Sequence, residues 1–441
     1  MTPKLIRRRF RSAVDLVVSK IEEHVVHPGR DFIRHYKLPA DDLITFLVAE
    51  GSSSTKNELT DFFDMDPDHP SSSAFYQQRS KLLPSALEGV FHGFNTLCND
   101  SSDVPKYRLI AADGSTASFQ SSSVFASEEY FSNPGKSSAG CYSIHINAFY
   151  DLQKRTYTDA LLQPVHQKDE FLAFCTIVDR HPVIPGSHNV YIGDRGYCSY
   201  NNMAHVIHSG QYFLFRAKDI HQKGLLGGFS YPDSDAFDMS VNVTLTRCNR
   251  SDIPIHGDYR RFIGKSVSFD YIEYGARDTY DLSFRIVRFP ISEDTYESIV
   301  TNLPEDEFPL KRIKEIYFCR WGVETSFRKL KYTIGLSSFH SHKPEFIKQE
   351  IWARMIAYNI TETIINYTVV HTGETKHVYK INFSVAAHIC RSFLRPAAEE
   401  RLIDVVALLQ RELIPIRNDR KYSRSNSAHF RKPRYFTYRP S

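Results

Sequence analysis

The chain has 441 residues, 41% of them hydrophobic and 24% charged, which is long enough for a sizeable core and about two or three domains. Its formal net charge of +4 is too small to indicate nucleic-acid binding by itself, and no apolar run resembles a signal peptide or a membrane span. Seven cysteines without a CxxC pair, and nineteen histidines without His-Glu-x-x-His, argue against zinc sites and for reduced thiols in the cytoplasm.

Positive charge is concentrated at the two ends of the chain. The first eleven residues contain five cations and no acid, and residues 417–441 contain eight cations and one acid. Such arms can lie along DNA phosphates and add an affinity that salt weakens. The alternative is that both ends are frayed segments that only aid solubility.

The region from about residue 12 to residue 100 has apolar residues at helical spacing. Within it, Ser54–Leu59 and Ser72–Leu82 begin with hydroxyl side chains that can cap helices, and together they resemble a helix-turn-helix. The second helix would present polar side chains to a DNA groove, namely Gln77, Gln78, Arg79 and Lys81. The alternative is a polar face on an ordinary helical bundle.

From about residue 106 the pattern changes to α/β. Three strands, a helix and a fourth strand are predicted in the order Leu109–Asp113, Tyr142–Leu152, Tyr157–Leu162, Asp169–Val178 and Val190–Asp194. After a further strand at Tyr212–Ala217, glycines loosen the chain, and apolar residues alternate with polar ones around residues 241–245 and 282–286. This period of two predicts a β-rich segment, which ends near Pro304. Helices follow from Leu310 and from Gln349.

The most informative spacing is Tyr-x₂-Arg-x₃-Glu-x₆-Lys, formed by Tyr317, Arg320, Glu324 and Lys331. On one continuous α-helix these side chains fall within an arc of roughly 60°. A carboxylate among donors suits a site where a metal ion is held beside phosphates. The alternative is a solvated helix face with ordinary i, i+4 pairing.

This spacing resembles the signature helix of the insertion sequence 4 family of DDE transposases, in which the Glu is the third catalytic carboxylate. Two Asp motifs upstream complete the resemblance, Asp113 within Arg108–Ser115 and Asp194 within Val190–Tyr197. The carboxylates are separated by 194 − 113 = 81 and 324 − 194 = 130 residues, and the longer gap accommodates the β insertion of the family. Either Asp taken singly could be a turn or capping residue.

The resemblance implies an α/β fold: a ribonuclease H-like catalytic core with a mostly β insertion, a helical N-terminal DNA-binding domain and a helical C-terminal region. The expected boundaries are 1–104 for the DNA-binding domain, 105–218 with 305–345 for the core, 219–304 for the insertion, and 346–441 for the C-terminal region with its basic tail.

The resemblance also implies two Mg²⁺ or Mn²⁺ ions, with Asp113 bridging them, Asp194 on one and Glu324 on the other. Tyr317, Arg320 and Lys331 would hold phosphates. The implied reaction is cut-and-paste transposition at terminal inverted repeats, by a protein that works on double-stranded DNA as a homodimer in the prokaryotic cytoplasm, at the nucleoid and without a membrane. Hairpin formation in relatives stacks a flipped base on an aromatic residue of the insertion, for which Tyr271 or Tyr274 would have to serve here.

Two other functions remain open on the sequence. The chain could be a DNA-binding regulator that keeps the transposase fold without catalysis, although three intact carboxylates argue against this. It could also be a metal-dependent nuclease of the same fold that cuts DNA without joining it.

Overall fold

The computed structural model describes residues 1–33, 37–99, 104–133, 140–293, 295–370, 378–396 and 403–416. The predicted basic tail at 417–441 lies outside the described residues.

The N-terminal region is helical, as its apolar spacing predicts. Its helices are α1 (Pro3–Val18), α2 (Ala40–Ala49), α3 (Thr55–Phe62), α4 (Ser72–Arg79) and α5 (Pro84–Cys98). Ser54 and Ser71 cap α3 and α4, because their hydroxyls accept hydrogen bonds from backbone N–H groups two or three positions into each helix. Residues 63–71 join these two helices, whereas a helix-turn-helix uses a turn of about three or four residues. The predicted helix-turn-helix is therefore wrong for this pair.

The basic N-terminus is part of the first helix and not a free arm. Thr2 caps α1, and Pro3 occupies its first turn, where the missing N–H costs nothing. Arg7 is buried; its Nη2 donates to the Arg395 carbonyl at 2.8 Å, and its guanidinium lies over the Phe393 ring. The interpretation of this segment as a frayed arm is thus corrected, because Arg7 anchors it to the C-terminal part of the chain.

The middle of the chain forms one large mixed sheet. Its strands are β1 (Tyr107–Phe119), β2 (Phe131–Ser132), β3 (Cys141–Asp151), β4 (Thr156–Pro164), β5 (His188–Gly193), β6 (Tyr212–Ala217), β7 (Phe237–Thr246), β8 (Tyr259–Phe262), β9 (Thr279–Ser292) and β10 (Thr295–Thr301). The order across the sheet is β4-β3-β1-β5-β6-β10-β9-β7-β8, and the short β2 also pairs with β3. The segment predicted as a β insertion therefore extends the same sheet.

Strand direction divides the sheet into two parts. Strands β4, β3 and β1 form an antiparallel meander, and β5 and β6 then run parallel to β1. Helices α6 (Glu170–Arg180) and α7 (Tyr200–His208) precede β5 and β6, as crossovers between parallel strands require. Beyond β6, strand β10 is antiparallel to β6, β9 is antiparallel to β10, and β7 is antiparallel to β9. The edge strand β8 runs parallel to β7.

Alternation along β1 separates the two faces of the sheet. Ile110 and Ala112 pack in a cluster with α6 and α7, whereas Ala111 packs in the cluster that contains the N-terminal helices. Because side chains alternate in a strand, Asp113 shares the face of Ala111.

The segment that carries Tyr317 to Lys331 is not one continuous α-helix. It consists of α8 (Leu310–Cys319), a break at Arg320, α9 (Trp321–Lys329) and a π-helical turn at Leu330–Ile334. Arg320 keeps right-handed helical φ and ψ angles, so the angular spacing changes mainly at Lys331, which lies in the wider π turn. The single-helix prediction is corrected at that residue.

The C-terminal part of the chain packs on the N-terminal helices. It contains α10 (Pro344–Tyr367), β11 (Tyr379–Ile381), α11 (Phe383–Leu394), α12 (Val405–Arg411) and β12 (Leu413–Pro415). Helix α10 is almost wholly buried and contacts α2 and α5 as well as β4. Helices α1–α5 therefore share a hydrophobic core with α9, α10 and one face of the sheet.

None of the helices within the described residues is both long enough and apolar enough to cross a membrane. All seven cysteines carry free thiols, and no disulfide constrains the fold.

Candidate active site

Asp113 and Asp194 lie side by side at the centre of the sheet. Strands β1 and β5 are parallel neighbours, and Ala111 pairs with Ile192, so each Asp stands two residues beyond this pair. The chain turns sharply after β5, where the Tyr197 N–H donates to the Asp194 carbonyl at 3.1 Å. A Cβ on Gly193 would lie only 2.7 Å from the Tyr197 Cβ, which explains why glycine precedes Asp194.

Glu324 reaches the same face of the sheet from α9. This helix packs on β1 through Val323 and Phe327, which are buried in the core beneath it. Glu324, which follows Val323 on this helix, is partly exposed, and the Arg320 Nη2 donates to Glu324 Oε1 at 2.8 Å. The sheet and α9 therefore bring the three predicted carboxylates to one region of the molecule.

The positive charge near Asp113 is too small to offset the burial of its carboxylate. The pKa of Asp113 is raised from 3.8 to about 6, chiefly by burial and also by the negative charges of Asp194 and Glu324. The Gly114 N–H and the Arg320 guanidinium act in the opposite direction but do not compensate. A divalent cation would supply the missing charge, and carboxylate oxygens are the ligands that Mg²⁺ and Mn²⁺ prefer.

Among the described residues, the three carboxylates do not form a cluster with ligand atoms all within 4.8 Å of one another. Instead, Arg320 is paired with Glu324 and exerts its charge on Asp113. In this arrangement the Arg320 guanidinium supplies part of the positive charge that a metal ion would supply. To bind a metal ion, Glu324 would have to give up its ion pair with Arg320.

One other group does satisfy that 4.8 Å spacing, Glu50 with His340 and Glu350. Two arginines already neutralise it: the Arg79 Nη2 lies 3.0 Å from Glu350 Oε1, and the Arg354 Nη2 lies 3.9 Å from Glu50 Oε2. Two buried guanidinium groups would repel an added cation, so this group is an internal ion-pair network.

A second such group is Cys175 with His205 and Asp270. Its polar atoms are satisfied by the protein, because His205 lies between Asp179 at 2.8 Å and Asp270 at 2.9 Å, and the Cys175 thiol donates to Asn202. The imidazole thus links α7 to α6 and to the loop before β9 without a metal ion.

Tyr317 and Arg320 have buried polar atoms that find no hydrogen-bond partner among the described residues. These atoms are the Tyr317 hydroxyl and the Arg320 Nε, although the charge of Arg320 also acts on the Tyr317 hydroxyl. Such groups are costly unless a ligand satisfies them. Lys331 lies in the π-helical turn and is partly buried.

The residues in and just beyond α4 that are predicted to contact DNA differ in how far they are exposed. Arg79 is fully buried, with its Nε 2.9 Å from Gln349 Oε1 and its Nη2 2.8 Å from the Phe346 carbonyl. It cannot reach DNA from this position, so its predicted DNA contact is corrected to a structural ion pair. Gln78 is 6% exposed and accepts from the Lys81 ammonium at 3.0 Å, which leaves Lys81 as the more accessible of the three.

The two tyrosines named as candidates for base stacking also differ. Tyr271 stacks on His208 with ring centroids 4.2 Å apart and an angle of 7°, so one of its faces is already covered. Tyr274 is 52% exposed, and the Arg247 guanidinium lies 5.6 Å from its ring centroid. Of the two, Tyr274 has the more accessible ring.

One acidic residue beside the site escaped the sequence analysis. Glu170, the first residue of α6, lies near Gly114 and Gly196, which follow the two aspartates closely in the chain. The signal available in the sequence was an acid at the start of the helix after the third core strand, but helix starts commonly carry acids.

Residues 104–360 match the family model described as the transposase DDE domain. The chain is 33% identical over 67 residues to the putative transposase InsL of insertion sequence IS186A from Escherichia coli K12, which is 15% of this chain and 18% of that protein. It is 26% identical over 129 residues to the transposase InsG of insertion sequence IS4 from the same strain, or 26% of this chain and 28% of the relative. The matched stretches thus span less than a third of either relative.

The structure is also similar to that of the piggyBac transposase in a synaptic complex with hairpin DNA. The TM-score is 0.46 at 12% identity, and the similarity covers 91% of this chain and 82% of the other. The match to the transposase DDE domain covers more than half of the 441 residues and includes Asp113, Asp194 and Glu324. The prediction from the three motifs is therefore confirmed at the level of the family: this chain belongs to the transposases with a DDE domain.

Proposed function

We propose that the protein is a DNA transposase that moves an insertion sequence by cut and paste, through metal-dependent phosphodiester hydrolysis and strand transfer at terminal inverted repeats. The observation that carries the proposal is the placement of Asp113 and Asp194 on adjacent parallel strands with Glu324 on the helix that packs over them. The strand order β4-β3-β1-β5-β6, with its antiparallel and parallel parts, supports a ribonuclease H-like core.

Asp113, Asp194 and Glu324 would hold two Mg²⁺ or Mn²⁺ ions, for which the raised pKa of Asp113 provides the electrostatic reason. When bound, such ions activate a water molecule or a terminal 3′-hydroxyl and stabilise the leaving oxygen at phosphorus. The three carboxylates fix where the attacking and leaving oxygens lie, because β1, β5 and α9 are held rigidly by their packing.

Tyr317, Arg320 and Lys331 would position the phosphates around the cut. The unpartnered Tyr317 hydroxyl and Arg320 Nε support this role, because phosphate oxygens would satisfy both donors. Lys331 would add a further cation near the strand. These groups bind and orient DNA and transfer no proton.

The Tyr317→Phe variant should separate this role from a structural one. Removing a buried hydroxyl that has no hydrogen-bond partner among the described residues should leave the free energy of unfolding unchanged or raise it by about 1 kcal/mol. DNA cleavage should nevertheless fall by about tenfold, because one phosphate contact is lost. Urea unfolding and a gel assay of cleavage measure the two effects. A less stable variant with normal cleavage would show that the hydroxyl serves the fold.

The protein would act on DNA as a dimer. The substrates would be double-stranded DNA at the inverted repeats and at the target, bound by a homodimer in the cytoplasm at the nucleoid. Lys81, just beyond the end of α4, is the N-terminal candidate for DNA contact, since Gln78 is buried, and Tyr274 is the candidate for stacking a flipped base. The division into a DNA-binding domain, a core, a β insertion and a C-terminal region stays a prediction.

The test is Mg²⁺-dependent cleavage and joining of a DNA that carries the termini of the element. Wild type should yield both products, and Glu324→Gln should reduce both by at least about 100-fold. Glu315→Gln is a matched control, because Glu315 is an exposed glutamate on α8. Cutting without joining would indicate a nuclease, and binding without cutting would indicate a regulator. Full activity of Glu324→Gln would show that Glu324 is not a catalytic carboxylate.

A further inference from the structure

Glu170 occupies a fixed place at the edge of the proposed catalytic site. It is the first residue of α6, and the preceding Asp169 caps the helix by accepting from the Leu172 N–H at 2.9 Å. The Glu170 side chain is 29% exposed, so it is neither buried in the core nor free in solvent.

Gly114 makes room for the Glu170 carboxylate, and Gly196 lies within ordinary contact distance of it. A Cβ on Gly114 would lie 2.8 Å from Glu170 Oε1, and a Cβ on Gly196 would lie 3.8 Å from Glu170 Oε2 and 3.0 Å from Asp194 Oδ1. Gly114 directly follows Asp113. The carboxylate of Glu170 therefore lies beside the turn that carries Asp194.

Two cationic or potentially cationic side chains hold Glu170 in this place. The Lys168 ammonium lies 2.8 Å from Glu170 Oε1, and the buried His145 Nε2 lies 3.2 Å from the same oxygen. His145, and after it Lys168, lower the pKa of Glu170 to about 2 against the opposing effect of burial. Glu170 is thus an oriented anion at neutral pH, with Oε2 facing the Asp194 turn.

We propose that Glu170 is a fourth carboxylate of the catalytic site, which binds a divalent ion held by Asp194 through one of the ion's water ligands. The inference rests on the proposed function and extends it by one residue outside the three carboxylate motifs. An acid at the start of a helix is favourable for the helix dipole alone. That role does not require glycine at 114, however, nor an orientation toward Asp194.

Metal affinity tests the proposal without reference to DNA cleavage. Mn²⁺ is titrated calorimetrically into the full chain for the wild type, Glu170→Gln, Glu170→Asp and Glu324→Gln, with Glu128→Gln as the control because Glu128 is an exposed acid of the neighbouring segment. Loss of an outer carboxylate should weaken Mn²⁺ binding by about 10- to 100-fold in both Glu170 variants. Glu128→Gln should bind as the wild type does.

Thermal unfolding in EDTA separates metal binding from folding. Glu170→Asp keeps the negative charge at the start of α6 but withdraws the carboxylate by one methylene, so it should bind Mn²⁺ weakly while its Tm falls less than that of Glu170→Gln. If both Glu170 variants bind Mn²⁺ like the wild type while Glu324→Gln does not, the role of Glu170 is overturned and the proposed function stands. If the wild type itself binds no Mn²⁺, both the role of Glu170 and the proposed function are overturned.

Discussion

At about pH 7.5 in EDTA, Asp113→Asn is expected to be more stable than the wild type, while in Mg²⁺ it should lose DNA cleavage by at least about 100-fold. Burial and the neighbouring carboxylates raise the pKa of Asp113 from 3.8 to about 6 in the folded protein. A shift of this size corresponds to at most about 3 kcal/mol of unfavourable free energy once the group is ionised. Asparagine has the same shape and carries no charge.

The pH dependence of the added stability of Asp113→Asn identifies the cause of that stability. Between about pH 4 and pH 6 the folded protein holds a proton on Asp113 that the unfolded chain has released, so the free energy of unfolding falls as pH rises through this window. Above this pH window the wild type carries the full free-energy penalty of an ionised, buried Asp113. Below the window Asp113 is protonated and the penalty disappears. The advantage of Asp113→Asn should therefore be largest at about pH 7.5 and vanish near about pH 4.

Urea unfolding at these two pH values measures the difference in stability between Asp113→Asn and the wild type. Asp169→Asn is not a suitable control, because Asp169 caps a helix. Asp258→Asn is better, since Asp258 is an exposed acid on a loop of the β-rich segment. If Asp113→Asn were less stable than the wild type at about pH 7.5, Asp113 would have a structural role that outweighs its desolvation. Added Mg²⁺ should stabilise the wild type more than the variant, because only the wild type has the ionised ligand.

The course of the core strands could be predicted because their signals are local. Alternation and apolar runs located β5, β6, β7 and β9, and Ser54 and Asp169 are caps that the sequence reveals through a few neighbouring residues. The placement of Asp113 beside Asp194 needs the pairing of β1 with β5, which spacing alone does not give. The family resemblance supplied that step.

What the sequence could not reveal depends on contacts between distant parts of the chain. Arg79 has the polarity of a DNA-binding residue, but its ion-pair partner Glu350 lies 271 positions further along the chain. The N-terminal cations looked like a solvated arm for the same reason, because the acceptor of Arg7 is the carbonyl of Arg395. The break at Arg320 leaves no clear local mark, since neither Gly nor Pro stands at that position.

Arg79→Met is expected to lower the free energy of unfolding by about 3–5 kcal/mol, the largest stability change that we predict. The Arg79 guanidinium is wholly buried, stacks 4.6 Å from the centroid of the Phe346 ring, and bonds Gln349 and Glu350. Methionine fills similar volume but leaves the buried Glu350 carboxylate without its nearest cation. The loss arises from that uncompensated charge more than from the hydrogen bonds themselves.

Acidic pH should reduce the difference between Arg79→Met and the wild type. Burial alone would raise the pKa of Glu350, but Arg79, and after it His340, reverse this and hold the pKa well below its usual value of 4.5. The contribution of the pair is thus present above about pH 4.5 and is lost as pH falls through the lowered pKa. In the double variant Arg79→Met/Glu350→Gln, the loss should be clearly smaller than the sum of the single losses.

Lys81→Met is the matched comparison, because Lys81 stands two positions beyond Arg79 and is partly exposed. Its free energy of unfolding should change by less than about 0.5 kcal/mol, while its affinity for DNA should fall and depend less steeply on salt. Arg79→Lys, which keeps a charge but not the planar fork, should be intermediate in stability. If Arg79→Met were as stable as Lys81→Met yet bound DNA more weakly, Arg79 would leave its buried site in the complex, and its original interpretation as a DNA contact would be restored.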